Sequence, residues 1–317
     1  MIIINLLLCI VFLFVLIKAA GYAIKYSSRL AKSYRMPEFI VSFFIIAFIS
    51  VLPEATISII SAIQGQSRLG LGTLLGSNVA DLTLVLGVVA LFSSNGVKVK
   101  SKILRNNLFY LILLLFPLLL GWDGKFSRID GAILFLGGLL FFVKLYFENR
   151  RFHKEYTEAK REPSSKSLIF LILSMVVLLV ASYFTVEYAI NLANDIKLPV
   201  ILIGLTIISL GVCLPELTFS LKAIKNNHED LVLGDIFGTV LADATIILGI
   251  VVLINPFDYN VYNLYVTAAG MFLAGIFVII FITSEHTLSK KEGLFLLLFY
   301  IVYIILEFVV TTHLNLP

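Results

Sequence analysis

The stretch LPEATIS, Leu52 to Ser58, returns later in the chain as LPELTFS, Leu214 to Ser220. With one set on the other, the next 29 positions align without a gap and end at GSNVADLTLVLG (Gly76 to Gly87) and GTVLADATIILG (Gly238 to Gly249). Fourteen of 36 positions are identical, and every pair is offset by 162. Glu54 therefore precedes Asp81, and Glu216 precedes Asp243, by the same 27 residues. Apolar segments share a small alphabet, so some identity arises by composition alone. Pro, Glu, Gly and Asp at fixed spacing do not, and the chain reads as an internal duplication.

The medium around the repeats follows from composition. Of 317 residues, 60% are hydrophobic and 14% charged, with a mean hydropathy of +1.02, far from a soluble domain. Apolar runs of about 18 to 25 residues, long enough to cross a roughly 30 Å hydrocarbon core as helices, recur along the chain. The polar helix faces of a soluble core of this size are missing. The first run, Ile2 to Ile17, has no basic residue before it and no small-residue cleavage pattern after it, so it reads as a membrane helix rather than a leader. The two cysteines, Cys9 and Cys213, both lie in apolar stretches and give neither a disulfide framework nor a CxxC metal spacing. His153, His228, His286 and His313 show no ligand spacing.

Apolar runs between polar breaks predict ten helices, near 2–20, 37–64, 69–94, 106–121, 130–148, 167–192, 198–224, 230–255, 262–283 and 292–312. The net charge of +4 does not point to nucleic acid, because the basic residues sort by loop: nineteen fall in odd-numbered loops and four, Arg68, Lys125, Arg128 and Lys197, in even-numbered ones. Short cytoplasmic loops carry the Lys/Arg excess, so odd loops are expected in the cytoplasm and both termini outside, in the cell membrane. The polar segment 149–166 is the only long linker and is expected as a cytoplasmic connection between halves 1–148 and 167–317. The repeats begin on the second and seventh helices, an odd number of crossings apart, and so insert in opposite directions. The expected fold is an all-α polytopic membrane protein of two inverted five-helix repeats.

The repeat supplies its own chemistry. Pro53 and Pro215 lack an N–H and obstruct the bond to the preceding turn, freeing carbonyl oxygens that are tolerated in hydrocarbon only when something satisfies them. Glu54 and Glu216 follow directly, and carboxylate plus carbonyl oxygens are the ligands of hard cations. Asp81 and Asp243 lie well inside the third and eighth helices, after Gly76 and Gly238, which allow close helix approach. Each acid at mid-membrane costs on the order of 3 kcal/mol, so four cost roughly 12 unless a divalent cation or protons compensate. Four in matched pairs are not four accidents. Glu187 and Glu307 have no repeat partner and are expected to snorkel at the interface, and Glu38 and Asp235 read as helix-end residues.

At these residues the sequence resembles the calcium/cation antiporter superfamily, in particular its sodium/calcium exchanger branch of prokaryotic type. The family repeat, approximately G-T-S-x-P-E then G-N-x-x-G-S-N-x-x-N/D, appears as Ile49-Ser50-Val51-Leu52-Pro53-Glu54 and Gly211-Val212-Cys213-Leu214-Pro215-Glu216, followed by Gly72, Gly76-Ser77-Asn78 and Asp81, and by Gly234, Gly238-Thr239-Val240 and Asp243. The resemblance implies Glu54 and Glu216 as central calcium ligands that also serve the coupling ion, completed by Asp81 and Asp243. It implies hydroxyl oxygens of Ser50, Ser77 and Thr239 at flanking monovalent sites, and main-chain oxygens from Ala47 and Ser209. Three departures bear on sodium: Val51 and Val212 replace family hydroxyls, and Cys213 offers a soft sulfur that ligates Na⁺ poorly. Asp81, where many sodium exchangers carry Asn, adds a group able to take up a proton.

The expected function is therefore alternating-access exchange of Ca²⁺ for Na⁺, with H⁺-coupled divalent cation antiport at the same site as the alternative. No enzyme activity and no cofactor are expected. The partners are inorganic cations and the lipid bilayer, without nucleic acid, and the oligomeric state is left open. Two further classes make poorer sense of the residues. An intramembrane aspartyl protease on Asp81 and Asp243 would leave the glutamates without purpose and lacks a GxGD pattern, and a passive channel would use the acids as a selectivity ring.

Overall fold

The computed structural model describes residues 1–33, 50–93, 96–98, 108–149, 164–225, 229–259, 261–285 and 287–313. Helix dominates them. In chain order they form α1 (Ile2–Ser33), α2 (Leu52–Ile63), α3 (Ser67–Ala80), α4 (Leu86–Phe92), α5 (Leu108–Leu114), α6 (Phe116–Leu120), α7 (Arg128–Asn149), α8 (Ser164–Ile196), α9 (Val200–Ile203), α10 (Ser209–Val212), α11 (Leu214–Lys225), α12 (Glu229–Ala242), α13 (Leu248–Ile254), α14 (Val261–Glu285) and α15 (Lys290–His313). Among the described residues seven stretches are long and apolar enough to cross a membrane: Ile2–Ala23, Ser67–Phe92, Lys166–Ile196, Val200–Lys225, Val232–Ile254, Leu264–Thr283 and Lys290–Val310. The three other expected spans fare differently. Residues 37–49 of the span 37–64 lie outside the described residues; 106–121 is the pair α5 and α6, divided at Leu115 two residues before Pro117; and 130–148 is α7. Of the expected linker 149–166, residues 150–163 lie outside the described residues.

Helix α1 runs 32 residues, about 48 Å at 1.5 Å per residue, well past its expected end near 20. Its basic residues do not stop it because they fold back over aromatic rings: Lys18 Nζ sits 5.1 Å from the Phe14 centroid and Lys25 Nζ 5.7 Å from that of Tyr26. The proline breaks are narrower than the sequence suggests. Each is a single turn residue, Val51 (φ −66°, ψ −17°) and Cys213 (φ −73°, ψ −8°), after which the helix restarts at Leu52 and Leu214. The ladder resumes across it, with Ala55 N–H donating to Val51 O at 2.9 Å and Leu217 N–H to Cys213 O at 3.0 Å.

Wider breaks occur where no residue pattern marks them. Among the described residues three π-helical turns, Asp81–Val85, Gly204–Ile208 and Asp243–Ile247, interrupt the long helices. A π insertion shifts the register of the N–H ladder and leaves a carbonyl short of its partner, which hydrocarbon does not forgive. Each turn has threonine at its third position, and each hydroxyl reaches the carbonyl four residues back: Thr83 to Val79, Thr206 to Leu202 at 2.6 Å, and Thr245 to Leu241 at 2.6 Å. Two of the turns begin on the duplicated aspartates themselves.

The halves interlock instead of lying side by side. Glycine positions 162 apart make the same contact twice: a Cβ on Gly87 would meet Gly293 O at 2.8 Å, and one on Gly249 would meet Gly131 O at 2.8 Å. Gly76 does what its sequence position suggested, bringing α3 against Leu205 Cα at 2.9 Å from where a Cβ would stand. Two short antiparallel pairs tie the loops. β1 (Val97–Lys98) pairs β4 (Thr287–Leu288), and β2 (Lys125–Phe126) pairs β3 (Phe257–Asp258). In both, one strand comes from each half. The Ser67–Phe92 and Val232–Ile254 stretches are 83% and 78% buried, whereas Ile2–Ala23 is only 22% buried; α1 packs along α8 at the periphery. The most polar helices thus occupy the centre.

Candidate functional site

The four matched acids meet in that centre. Glu54 and Glu216 stand at the third position of α2 and α11, directly after the proline turns, while Asp81 and Asp243 open the π turns that follow α3 and α12. All four are 0% exposed. Glu54 lies within electrostatic reach of Asp243 and Asp81, and Glu216 within reach of Glu54 and Asp81. Among the described residues, both oxygens of Glu54, Asp81 and Glu216 and the Oδ1 of Asp243 have no hydrogen-bond partner. Buried carboxylate oxygens are ordinarily paired. These face one another instead, although no three acids, thiols or imidazoles among the described residues close on one point as a metal cage.

The hydroxyls lie at the same place with unequal roles. Ser77 Oγ donates to Leu74 O at 3.0 Å and reaches Asp243 Oδ2 at 3.4 Å. Thr239, its repeat partner, is fully buried with no partner for Oγ1 among the described residues. Ser209 Oγ turns back to Leu205 O at 2.6 Å, and the Ser209 carbonyl accepts from Cys213 N–H at 3.2 Å. The Cys213 thiol, beside Asp81, donates to Ser77 O at 3.6 Å. Ala47 and Glu38 lie outside the described residues.

Two expectations are corrected. Asp235 is no helix-end residue: it is 3% exposed inside α12, its Oδ1 accepts from Ser50 Oγ at 2.6 Å, and it lies within reach of Glu54, Asp81 and Glu216. Reading it as an end counted residues from the loop. The alignment held a better signal, since Asp235 matches Thr73 between Gly72 and Gly76, deep in a helix. Glu307 does not snorkel either; it is 0% exposed and accepts from Thr267 Oγ1 at 3.1 Å. Glu187 is exposed. The hydroxyls of Tyr110 and Tyr300, buried near Asp81, are a feature that periodicity could not assign to the site.

The arrangement matches known proteins over nearly its whole length. The pattern of the sodium/calcium exchanger protein family fits the chain twice, at residues 4–147 and 166–309, two windows that are again 162 apart. The sodium/calcium exchanger MaX1 of Methanosarcina acetivorans is 24% identical over 97% of this chain and 99% of its own. The inner membrane protein YrbG of Escherichia coli is 30% identical over 78% of this chain and 79% of its own. Among solved structures, the sodium-calcium exchanger NCX_Mj soaked with Na⁺ and Sr²⁺ superposes with a TM-score of 0.68 at 26% identity, covering 96% of this chain and 99% of that one. With the buried acids, the interlocked halves and the doubled pattern all agreeing, the chain is an integral membrane cation exchanger and belongs to the sodium/calcium exchanger protein family.

Proposed function

We propose that this carrier exchanges Ca²⁺ for Na⁺ by alternating access, with Glu54, Glu216, Asp81 and Asp243 as the shared cation ligands. Ser50, Ser77 and Thr239 contribute hydroxyl oxygens, and Ala47 and Ser209 main-chain oxygens. The observation that carries the reading is the set of seven fully buried carboxylate oxygens without a hydrogen-bond partner among the described residues, four from the first half and three from the second. Such a set is electrostatically untenable in hydrocarbon without positive charge. One divalent ion, or several monovalent ions, compensates it, and the two loads exclude each other because they need the same oxygens. Antiport follows from that exclusion.

The architecture we propose for this transport is ten membrane helices in two inverted halves, 1–148 and 167–317, joined by a cytoplasmic linker over 149–166. Both termini lie outside the cell membrane. The strand pairing supports it: β2 and β4 are equivalent positions of the repeat, yet β2 pairs β3 while β4 pairs β1. Equivalent loops at opposite faces of the membrane would pair in this crossed way.

Proton coupling has one specific observation in its favour. Val51 and Val212 bring no oxygen to the site, and Cys213 brings a sulfur, while Asp81 brings a fourth carboxyl. The deciding experiment is radioactive calcium uptake by the purified protein in sealed liposomes, with an internal sodium load or an internal proton load imposed separately. Sodium-driven uptake supports the first reading. Uptake driven by protons alone transfers coupling to the carboxyls, and uptake without a counter-ion load discards antiport.

A further inference from the structure

Two buried tyrosines are left over once the ring and its aliphatic hydroxyls are accounted for. Tyr110 on α5 and Tyr300 on α15 each lie within electrostatic reach of Asp81, and the phenolic oxygen of each is buried with no hydrogen-bond partner among the described residues. Helix α15 packs against the π turn that Asp81 opens, and the Tyr110 ring is fixed edge-on to Phe237 with centroids 4.7 Å apart. Phenylalanine would fill the same space in an apolar helix, and a buried phenol ordinarily finds an acceptor. Both oxygens of Asp81 are acceptors that no donor among the described residues serves.

The duplication shows that the pair belongs to one aspartate alone. The positions 162 away from Tyr110 and Tyr300 are Phe272 and Gly138. Phe272 has no hydroxyl, and at Gly138 even a Cβ would run into Thr245 Oγ1, so no side chain fits there. Asp243 is reached instead by Ser77 Oγ at 3.4 Å, whereas Thr239, the equivalent of Ser77, makes no such bond to Asp81 among the described residues. One aspartate is thus attended by a serine and the other by two phenols.

We infer that Tyr110 and Tyr300 are positioning residues for Asp81: their hydroxyls donate to its carboxylate, directly or through one water, and turn its remaining lone pairs toward the cation. A carboxylate has about four acceptor sites, so two phenols and a cation are served together. Donors behind a ligating group fix its orientation, and their loss costs about 10- to 100-fold in metal affinity. The inference rests on the reading that the ring carries the exchanged cations, and it deepens that reading by giving Asp81 supports that Asp243 lacks.

The test is equilibrium binding of radioactive Ca²⁺ to the full-length protein in detergent, comparing wild type with Tyr110→Phe, Tyr300→Phe and Tyr303→Phe. Tyr303, buried one turn along α15 and within reach of Glu307, is the packing control. Tyr110→Phe and Tyr300→Phe are each expected to weaken Ca²⁺ binding about tenfold, with Tyr303→Phe at the wild-type value. The tyrosine difference spectrum that Ca²⁺ produces in the ultraviolet should lose amplitude in the same two variants, a signal that altered packing alone would not move. Adding either change to Asp81→Asn should bring no further loss of affinity. If one variant aggregates on size exclusion, the other decides. Unchanged affinity and spectrum in either folded variant overturn the inference, as does an equal loss in Tyr303→Phe or a loss that persists at full size beside Asp81→Asn. A wild type that binds no Ca²⁺ defeats the reading of the ring itself, which separates the two failures.

Discussion

Ser77 Oγ, in the first half, stands 3.4 Å from Asp243 Oδ2 in the second, with its proton also drawn to Leu74 O at 3.0 Å. One proton and two acceptors make the hydroxyl a switchable group. With the proton on Leu74 O, the Ser77 lone pairs are left for a cation at Asp243; with the proton on Asp243, the carboxylate is partly compensated when no cation is there. Ser77→Ala removes both options, and a hydrogen bond of this kind is worth about 1 kcal/mol. Sodium-dependent calcium uptake is then expected to need roughly fivefold more Na⁺ for half-maximal rate, while Ser77→Thr retains the wild-type value. An unchanged Na⁺ dependence in Ser77→Ala would remove this serine from the site.

The four matched carboxylates are held together against their own repulsion, so they are expected to trade stability for binding. Neutralising one of them relieves like-charge repulsion and desolvation in the protein without its cation, and removes about 3 kcal/mol of attraction, roughly a hundredfold, from the divalent ion. In a thermal unfolding assay in detergent, Glu54→Gln and Glu216→Gln are expected to raise the Tm measured in chelator. They are also expected to abolish the further rise that Ca²⁺ gives the wild type, because a ligand stabilises only what it binds. Both variants should be inactive in exchange. A wild-type calcium shift surviving in both would take these glutamates out of the cation site.

The π turns make a prediction about the scaffold. Thr83 and Thr245 are fully buried in the π turns, and each donates its hydroxyl to the carbonyl four residues back. Replacement by valine keeps the shape and strands the carbonyl, at a cost of about 1 to 3 kcal/mol for each buried unsatisfied group. Thr83→Val and Thr245→Val are each expected to lower the Tm by several degrees, with Thr→Ser restoring most of it. Because these turns carry Asp81 and Asp243, weakened Ca²⁺ binding should accompany the loss; equal stability in all four variants would show that the hydroxyls are incidental.

What the residues announced in advance depended on how much each symbol constrains. Glu54, Asp81, Glu216 and Asp243 stood out because a carboxylate in an apolar run needs an explanation and the offset of 162 supplied it four times over. The seven long apolar stretches follow from hydropathy alone, which lipid enforces. The π turns did not stand out, because a threonine in a membrane helix has several ordinary uses and an extra residue in the ladder leaves no periodic mark. Asp235 stands close to a loop in the sequence, and its interior place is marked only by its partner position Thr73, between Gly72 and Gly76. Glu307 was misplaced because an acid near a helix end snorkels only if that face meets solvent or headgroups, and burial against Thr267 is a tertiary fact.

Inversion itself is open to a direct chemical test at one repeated position. Lys125 in β2 and Thr287 in β4 are equivalent by the offset of 162, yet Lys125 pairs Asp258 and Thr287 pairs Lys98. If the halves insert in opposite directions, these equivalents lie on opposite faces of the membrane, Lys125 outside and Thr287 in the cytoplasm. The two native cysteines are buried, and single cysteines can be placed at either position with the wild type as the background control. With a membrane-impermeant maleimide, Lys125→Cys is expected to label in intact cells and Thr287→Cys only in inverted vesicles. Labelling of both from one face would mean that the duplication is not inverted.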